Sequence, residues 1–249
     1  MDVKVLLTGF VPFGGDADNP SGACARALDR QTIEAHVGAR AVLATIFSAY
    51  DVPVVFHDES NPTSTSTGAG RVAHEIEARQ PDVVISMGVA PGDAFRVERV
   101  AHNIIQRGLT DNTGRPYAPL DGARATPDGD GFYHHGDALV TLRTHLPVEA
   151  CEAAIQGEHG RTVASDDPGE YVCEDVMFEV LREIDAPRSG HRILRGGFIH
   201  VPRDAPQDLV NRCIFAAVRA TIASLTEAEL SGDPVAARLA PSFEPGARP

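Results

Sequence analysis

The chain has 249 residues, of which 43% are hydrophobic and 23% charged, a composition that excludes a disordered polymer and suffices for a packed core. Its formal net charge of −13, with no basic stripe, argues against nucleic acid and anionic membrane surfaces as partners. No apolar run approaches the roughly 18 residues of a membrane span, so we expect no transmembrane helix.

The first predicted elements alternate between strands and helices. A β-branched apolar run at 3–8 predicts a buried strand, and the glycines and proline of 9–15 end it. A helix follows to about Leu28, with Asn19 or Ser21 as its N-cap. Further predictions are a strand at 41–47, a helix at 71–79, and strands at 83–87 and 97–105.

The second half continues this alternation after a region rich in glycine and proline, 110–131, whose composition would permit a flap that closes over a site. The remaining predictions are a helix at 147–156, a strand at 161–164, a helix at 171–184, a strand at 198–201 and a helix at 207–225. Together they predict a single α/β domain over 1–230, with a mostly parallel sheet covered on both faces. The proline-containing tail, 231–249, is predicted to be irregular.

The cysteine pattern indicates the compartment and one reactive group. Cys24, Cys151, Cys173 and Cys213 are widely spaced and form no Cys-x-x-Cys pair, so neither a disulfide framework nor a cysteine-based zinc site is expected. The first residues also lack the regions of a signal peptide, and we predict a cytoplasmic protein with free thiols. Three of the cysteines are predicted to be small buried hydrophobes. Cys173 differs because it lies in the first turn of a predicted helix, where free amides and the helix dipole favour the thiolate.

A cysteine nucleophile needs a base, and the base needs an orienting acceptor. His200 ends an apolar strand, at the sheet edge where open α/β sheets bind ligands, although a structural histidine is the alternative. Glu98 lies among mostly apolar residues, so its carboxylate must be exposed or paired. An ion pair with Arg96 or Arg99 is the simplest interpretation.

Two other features are predicted to carry no chemistry. His134 and His135 share a glycine-rich loop whose spacing supplies no further ligand, so we expect surface residues and no metal site. Gly14 and Gly15 are not followed by Gly-x-Gly-x-x-Gly or by Gly-Lys-Ser or Gly-Lys-Thr, so a phosphate cradle is not indicated.

Four motifs, in this order, resemble those of the pyroglutamyl peptidase I (pyrrolidone-carboxylate peptidase) family. They are Leu-Leu-Thr-Gly-Phe-Val-Pro-Phe-Gly-Gly (6–15) with Asn-Pro-Ser (19–21), Glu-Arg-Val-Ala-His-Asn (98–103), Gly-Glu-Tyr-Val-Cys (169–173) and Gly-Phe-Ile-His-Val-Pro (197–202). The resemblance extends from residue 5 to about 207. It implies an α/β/α sandwich around a twisted, mostly parallel mixed sheet.

The resemblance also implies an activity: a cysteine peptidase that removes N-terminal pyroglutamate from peptides or acts on small acyl amides, without a cofactor or metal, and assembles as a dimer or tetramer. Carried over by position, Cys173 is the nucleophile, His200 the general base and then acid, and Glu98 the group that orients the histidine.

The same resemblance assigns substrate-binding roles to the opening motif. Phe10 and Phe13 would hold the flat lactam ring between them, and Asn19 would hydrogen-bond it. Aromatic side chains suit such a ligand because they bury large apolar areas with little loss of rotamer entropy. Without the resemblance, Phe10 and Phe13 would be interpreted as core residues.

The chain departs from the family pattern and so resembles a divergent member. Val11 stands where the family usually has glutamate, Val89 where it has glutamine, Gly108 where it often has arginine, and Glu174 where asparagine usually follows the nucleophile. An anionic Glu174 would raise the pKa of the Cys173 thiol unless its side chain points into solvent. Two alternatives stay open: a hydrolase or acyltransferase with the same triad but another small cyclic acyl amide, and a catalytically idle binding protein.

Overall fold

The computed structural model describes residues 2–58, 60–117, 125–136, 138–188 and 190–231. The elements in chain order are β1 (Asp2–Phe10), α1 (Pro20–Leu28), β2 (Thr32–Val37), β3 (Arg40–Val52), α2 (Gly68–Arg79), β4 (Val83–Ala90), β5 (Ala94–Glu98), β6 (Val100–His102), β7 (Ile104–Gln106), β8 (Gly131–Tyr133), β9 (Thr141–Arg143), α3 (Val148–Gly157), β10 (Arg161–Ser165), α4 (Val172–Asp185), β11 (Arg195–Pro202), α5 (Gln207–Ala223) and α6 (Glu227–Ser231).

In the described part of the chain, seven strands form one sheet in the order β10-β5-β11-β4-β1-β3-β2. The pairs β1–β3, β1–β4, β4–β11 and β5–β10 are parallel, whereas β5–β11 and β2–β3 are antiparallel. The sheet is therefore mixed and mostly parallel, as predicted. The carboxyl ends of β1, β4 and β11 meet at one edge because these three strands run in the same direction.

The helices cover both faces of the sheet. α1, α3 and α5 pack on one face and α2 and α4 on the other, which gives three layers. Two hydrophobic clusters, one on each face of the sheet, form the core. Side chains along β1 alternate between them: Val5 and Leu7 belong to the first cluster and Leu6 to the second. The predicted α/β/α sandwich is thus confirmed.

The single strand predicted at 97–105 is wrong. The segment is divided into β5, β6 and β7, which pair with different partners. Asn103 makes one of the breaks: its amide nitrogen donates to the carbonyls of His134 and Ala138, and its Oδ1 accepts from the Val140 N–H at 2.6 Å. A buried asparagine that bonds backbone groups in this way competes with a continuous ladder.

Sequence reasoning also missed elements at the periphery. β2 was not predicted, although Ile33, Ala35 and Val37 alternate with exposed residues in the period expected of a strand. Of the predicted tail, only Ser231 is described, as the last residue of α6; 232–249 lie outside the described residues. The predicted flap is described at 110–117 and 125–131.

All four cysteines are described and are free thiols. Cys24, Cys151 and Cys213 are buried in the first hydrophobic cluster, as predicted. Searching the described residues for a membrane span gives none: the helices there are too short or too polar.

Candidate active site

A pocket of about 230 Å³ opens at the carboxyl ends of β1, β4 and β11, beside the start of α4. Five of the six residues singled out in the sequence line it: Cys173, His200, Phe10, Phe13 and Asn19. Open α/β sheets bind their ligands at this edge. Because drug-sized ligands usually occupy roughly 300–1,000 Å³, the pocket suits a smaller group.

Glycine at position 88 allows the thiol to approach the sheet. A Cβ atom at Gly88 would lie 2.8 Å from Sγ of Cys173 and 2.8 Å from the Phe198 ring, closer than real Cβ atoms come. Gly88 pairs in register with His200 on the neighbouring strand. Cys173 is the second residue of α4. Its side chain therefore packs against the β4 backbone at Gly88, opposite His200 on β11.

His200 and Glu98 form a buried pair. Nδ1 of His200 lies 2.7 Å from Oε1 of Glu98, and the exposed fractions of the two side chains are 6% and 0%. The ion pair that the sequence suggested between Glu98 and Arg96 or Arg99 is not what the structure shows, because Arg99 instead faces Asp166 at 3.6 Å. With Nδ1 engaged, Nε2 is the ring nitrogen left to act on another group.

The Cys173 thiol is held in its neutral form. Burial raises its pKa to about 12, and the Glu98 and Glu174 carboxyls act in the same direction. These effects outweigh the helix N-terminus, which the sequence analysis expected to favour the thiolate. A base that takes the proton during attack is therefore required for nucleophilic chemistry at neutral pH.

Glu174 does not point into solvent. It is fully buried in α4, and its Oε1 accepts a hydrogen bond from the His102 backbone N–H. Burial, with the nearby Glu98, Asp167 and Glu170 carboxyls, raises the pKa of Glu174 to about 9. At neutral pH the side chain is therefore a neutral acid beside the thiol.

The raised pKa of Glu174 predicts how stability depends on pH. Between its ordinary pKa of 4.5 and about pH 9, the folded protein keeps a proton that the unfolded chain has lost, so the free energy of unfolding falls as pH rises. The group contributes a decrease of about 1.4 kcal/mol per pH unit in that window. We expect Glu174→Gln to remove this decrease, so that the variant is more stable than wild type at pH 8.5 and close to it at pH 5.

Denaturant unfolding of both proteins across this pH range tests the prediction. Glu77→Gln is the matched control, because Glu77 lies exposed on α2 and its replacement leaves the slope unchanged. Parallel stability curves for wild type and Glu174→Gln would show that Glu174 is not the group responsible.

Three aromatic side chains, Phe10, Phe13 and Tyr171, line the pocket. Phe10 is buried in the second hydrophobic cluster, whereas Phe13 is half-buried and packs with its ring centroid 6.2 Å from that of Tyr171. The Tyr171 hydroxyl donates to the Thr110 carbonyl at 2.8 Å. The Arg203 guanidinium lies 5.7 Å from the Phe13 ring centroid. Phe13 is thus supported from two sides, by contacts that the sequence motifs did not indicate.

Asn19 lines the pocket, but most of its hydrogen-bonding capacity is used within the protein. Its Oδ1 accepts from the N–H and the hydroxyl of Ser21, which makes it the N-cap of α1, and its Nδ2 donates to the Val11 carbonyl at 3.0 Å. The amide group retains one N–H for a ligand.

The departures from the family pattern fall in different places. Val89 lines the pocket and makes that wall apolar. Arg107 does not line the pocket: its Nε donates to the Gly129 carbonyl, and its guanidinium stacks on the Phe132 ring.

Arg96 lines the pocket instead. The sequence indicated this residue only as a partner for Glu98. The register of β5 against β11 could have indicated it, since Arg96 pairs with His200.

The prediction that His134 and His135 are surface residues is wrong. His134 is completely buried and His135 is half-buried, and both pack against the Phe178 ring of α4. The partners that their spacing did not supply come from distant parts of the sequence, His57 and Asp175.

Comparisons with known proteins identify the family. A family model described as pyroglutamyl peptidase matches residues 3–223. The chain belongs to the pyroglutamyl peptidase family. Its relatives include a pyrrolidone-carboxylate peptidase of Enterococcus faecalis, 31% identical over 87% of this chain and 85% of that protein. Another, from Levilactobacillus brevis, is 34% identical over 84% of this chain and 86% of its own length.

Solved structures of pyroglutamyl peptidases share the fold. Pyroglutamyl peptidase I from Bacillus amyloliquefaciens has a TM-score of 0.67 and 29% identity, covering 89% of this chain and 95% of its own. The pyrrolidone carboxyl peptidase from Thermococcus litoralis has a TM-score of 0.66 and 27% identity, covering 88% and 93%. Membership of the pyroglutamyl peptidase family confirms the prediction of an enzyme of the omega-peptidase class.

Proposed function

We propose that the protein is a cysteine peptidase that removes N-terminal pyroglutamate from peptides, with Cys173, His200 and Glu98 as its catalytic triad. The observation that carries this proposal is the buried 2.7 Å contact between His200 Nδ1 and Glu98 Oε1, at a pocket that Cys173 also lines. A nucleophile, a base and an orienting carboxylate are the parts that acyl transfer requires.

The proposed reaction proceeds in two stages. As the Cys173 sulfur attacks the acyl carbon, its proton passes to Nε2 of His200, and Glu98 stabilises the imidazolium formed. The imidazolium then protonates the leaving amine while the C–N bond breaks, which leaves a thioester. Water, deprotonated by the same histidine, attacks the thioester, releases pyroglutamic acid and restores the thiol. Amide groups of the first turn of α4 are suited to stabilise the oxyanion, since helix N-termini carry positive potential.

The pocket supports a small uncharged acyl group. Phe10 and Phe13 offer apolar surfaces for a flat lactam ring, and Asn19 has one N–H left for a polar atom of that ring. Val89 lowers the polarity of the wall and favours a ring over a charged side chain. Val89 also keeps the second candidate open, a different small cyclic acyl amide cleaved by the same triad.

The structural features also support the proposals on cellular context. Four free thiols fit a reducing, cytoplasmic environment. A net charge of −13 favours peptides over nucleic acid as partners. Assembly as a homodimer or homotetramer remains a proposal from the family resemblance.

The test is a panel of fluorogenic amides that share one leaving amine. Pyroglutamyl, prolyl, glutaminyl and six-membered lactam amides differ only in the acyl group, so their kcat/KM values compare the fit of the acyl pocket alone. We expect the pyroglutamyl amide to be preferred by at least about 100-fold over the prolyl amide, which lacks the lactam carbonyl. Faster cleavage of the six-membered lactam would favour the alternative substrate. Turnover of no member would contradict both hydrolase proposals.

A further inference from the structure

A second group of chemically active side chains lies outside the pocket. His57, His134, His135 and Asp175, here called the histidine cluster, come from three separate parts of the chain. His57 follows β3, His134 and His135 follow β8, and Asp175 lies in the first turn of α4. Each offers one ligand atom, and these atoms all lie within 4.8 Å of one another.

We propose that the histidine cluster is a binding site for a divalent first-row transition ion, with Zn²⁺ as the best fit. Three imidazoles and one carboxylate form a donor set that suits Zn²⁺ in tetrahedral coordination. Ligand atoms bound at roughly 2.0–2.1 Å lie about 3.4 Å apart, so the cluster contracts by about 1.4 Å at most. Small side-chain rotations supply such a movement.

The carboxylate of the cluster is already charged and directed at its neighbours. Oδ1 of Asp175 lies 2.8 Å from Nδ1 of His57, and Oδ2 accepts from the His57 backbone N–H at 3.0 Å. Burial alone would raise the pKa of Asp175, but the His57 and His134 imidazoles hold it below its usual range. A bound ion would take the place of the proton that joins His57 and Asp175.

The surroundings of the cluster resemble those of a built metal site. The His134 ring packs edge-on to Phe178 at 5.1 Å, and the His57 ring lies 5.4 Å from Tyr117. Such an apolar shell limits water and strengthens metal–ligand contacts. The His135 side chain is 14% exposed, which leaves an entry path for the ion.

Both ring nitrogens of His135 lie near charged groups of α4. Its Nδ1 lies 3.0 Å from Nη1 of Arg182, and its Nε2 lies 3.8 Å from Oε2 of Glu179. Arg182 keeps a partner, because its Nη2 pairs with Glu179 at 2.8 Å. The Glu179 carboxylate therefore offsets the positive charge of Arg182, which would otherwise oppose the ion.

A bound ion would add a metal link between three segments of the chain that are already in contact. Asp175 lies two residues after Cys173 in the same helical turn, so a bound ion ties the start of α4 to the segments that carry His57 and His134. The proposal does not depend on the peptidase reaction.

The experiment uses the full chain carrying Cys173→Ala, so that the pocket thiol cannot bind the metal. The protein is stripped with a chelator and titrated with Zn²⁺ in equilibrium dialysis, and with Co²⁺ while the visible absorption of tetrahedral cobalt is followed. We expect one ion per chain, an intense cobalt band and a higher Tm with Zn²⁺. His135→Ala should weaken Zn²⁺ binding by at least about 10- to 100-fold and abolish the Tm shift.

His145→Ala is the matched control, since His145 faces Asp185 at 3.1 Å on the surface and should leave binding unchanged. Because His134 is buried, His134→Gln serves as a second variant, with its folding checked by circular dichroism. Zn²⁺ binding that is absent from the Cys173→Ala chain would overturn the proposal. So would binding that is equally tight in His135→Ala, or that is lost equally in His145→Ala.

Discussion

Replacing Cys173 with alanine is expected to lower kcat for a pyroglutamyl amide by at least about four orders of magnitude. The loss is this large because covalent acyl transfer has no other thiol available at the pocket, and the members of such a triad act as a unit. KM should change little, since the pocket walls that hold the acyl group remain in place. Steady-state kinetics of both proteins measures both effects, and alkylation of Cys173 gives the concentration of active sites in the wild type.

Cys151→Ala is the control, because Cys151 is equally a free cysteine but lies in the core on α3, among residues of the first hydrophobic cluster. It should keep wild-type kcat even if its Tm falls. The alkylation rate of Cys173 in wild type should also rise with pH well beyond neutrality, since the pKa of its thiol is about 12. Residual turnover of one tenth or more in Cys173→Ala would exclude Cys173 as the nucleophile.

The second large effect is expected from Glu98→Gln, with kcat/KM reduced by about 10³- to 10⁴-fold. Glutamine has nearly the same shape but no charge, so it cannot stabilise the imidazolium that the proposed transfer of the thiol proton to His200 would form. If its amide N–H faces Nδ1, it also favours the tautomer with the proton on Nε2, which cannot act as a base. The predicted loss is therefore chemical, and the fold is expected to survive.

The pH profile of the variant separates this role from a structural one. The pH dependence of kcat/KM should differ between Glu98→Gln and the wild type. The unfolding midpoint of the variant should stay within a few degrees of the wild-type midpoint. Glu75→Gln is the matched control, since Glu75 is buried on α2 but pairs with Arg71 and Arg79, away from the pocket. Equal losses in both variants would mean that removing any buried carboxylate impairs the enzyme.

Periodicity and caps predicted the main elements of the sheet and its helices because these features are local. Apolar runs marked β1, β4 and β11, and Asn19 marked the start of α1, where it is the N-cap. The division of 97–105 into three strands could not be predicted in this way. It depends on hydrogen bonds between the Asn103 side chain and backbone groups 31 to 37 residues further along the chain.

The candidate sites also differ in whether a local sequence pattern indicates them or only the fold brings their residues together. The family motifs indicated Cys173, His200 and Glu98 because each motif is contiguous in sequence. The histidine cluster was missed because His57 and Asp175 are 118 residues apart, and only the fold brings them together. The state of Glu174 was also beyond the sequence, since its pKa depends on burial and on carboxyls from other segments.

The position of β11 has a consequence for the newly made chain. This strand lies between β4 and β5 and carries His200, and of the strands in the described residues it is the last to be synthesised. Until it emerges from the ribosome, the described sheet consists of two unjoined parts, and Cys173 lacks its proposed base. With the proposed triad, the nascent chain is therefore inert towards the peptides around it until β11 has joined the sheet, and activity arrives together with the completed fold.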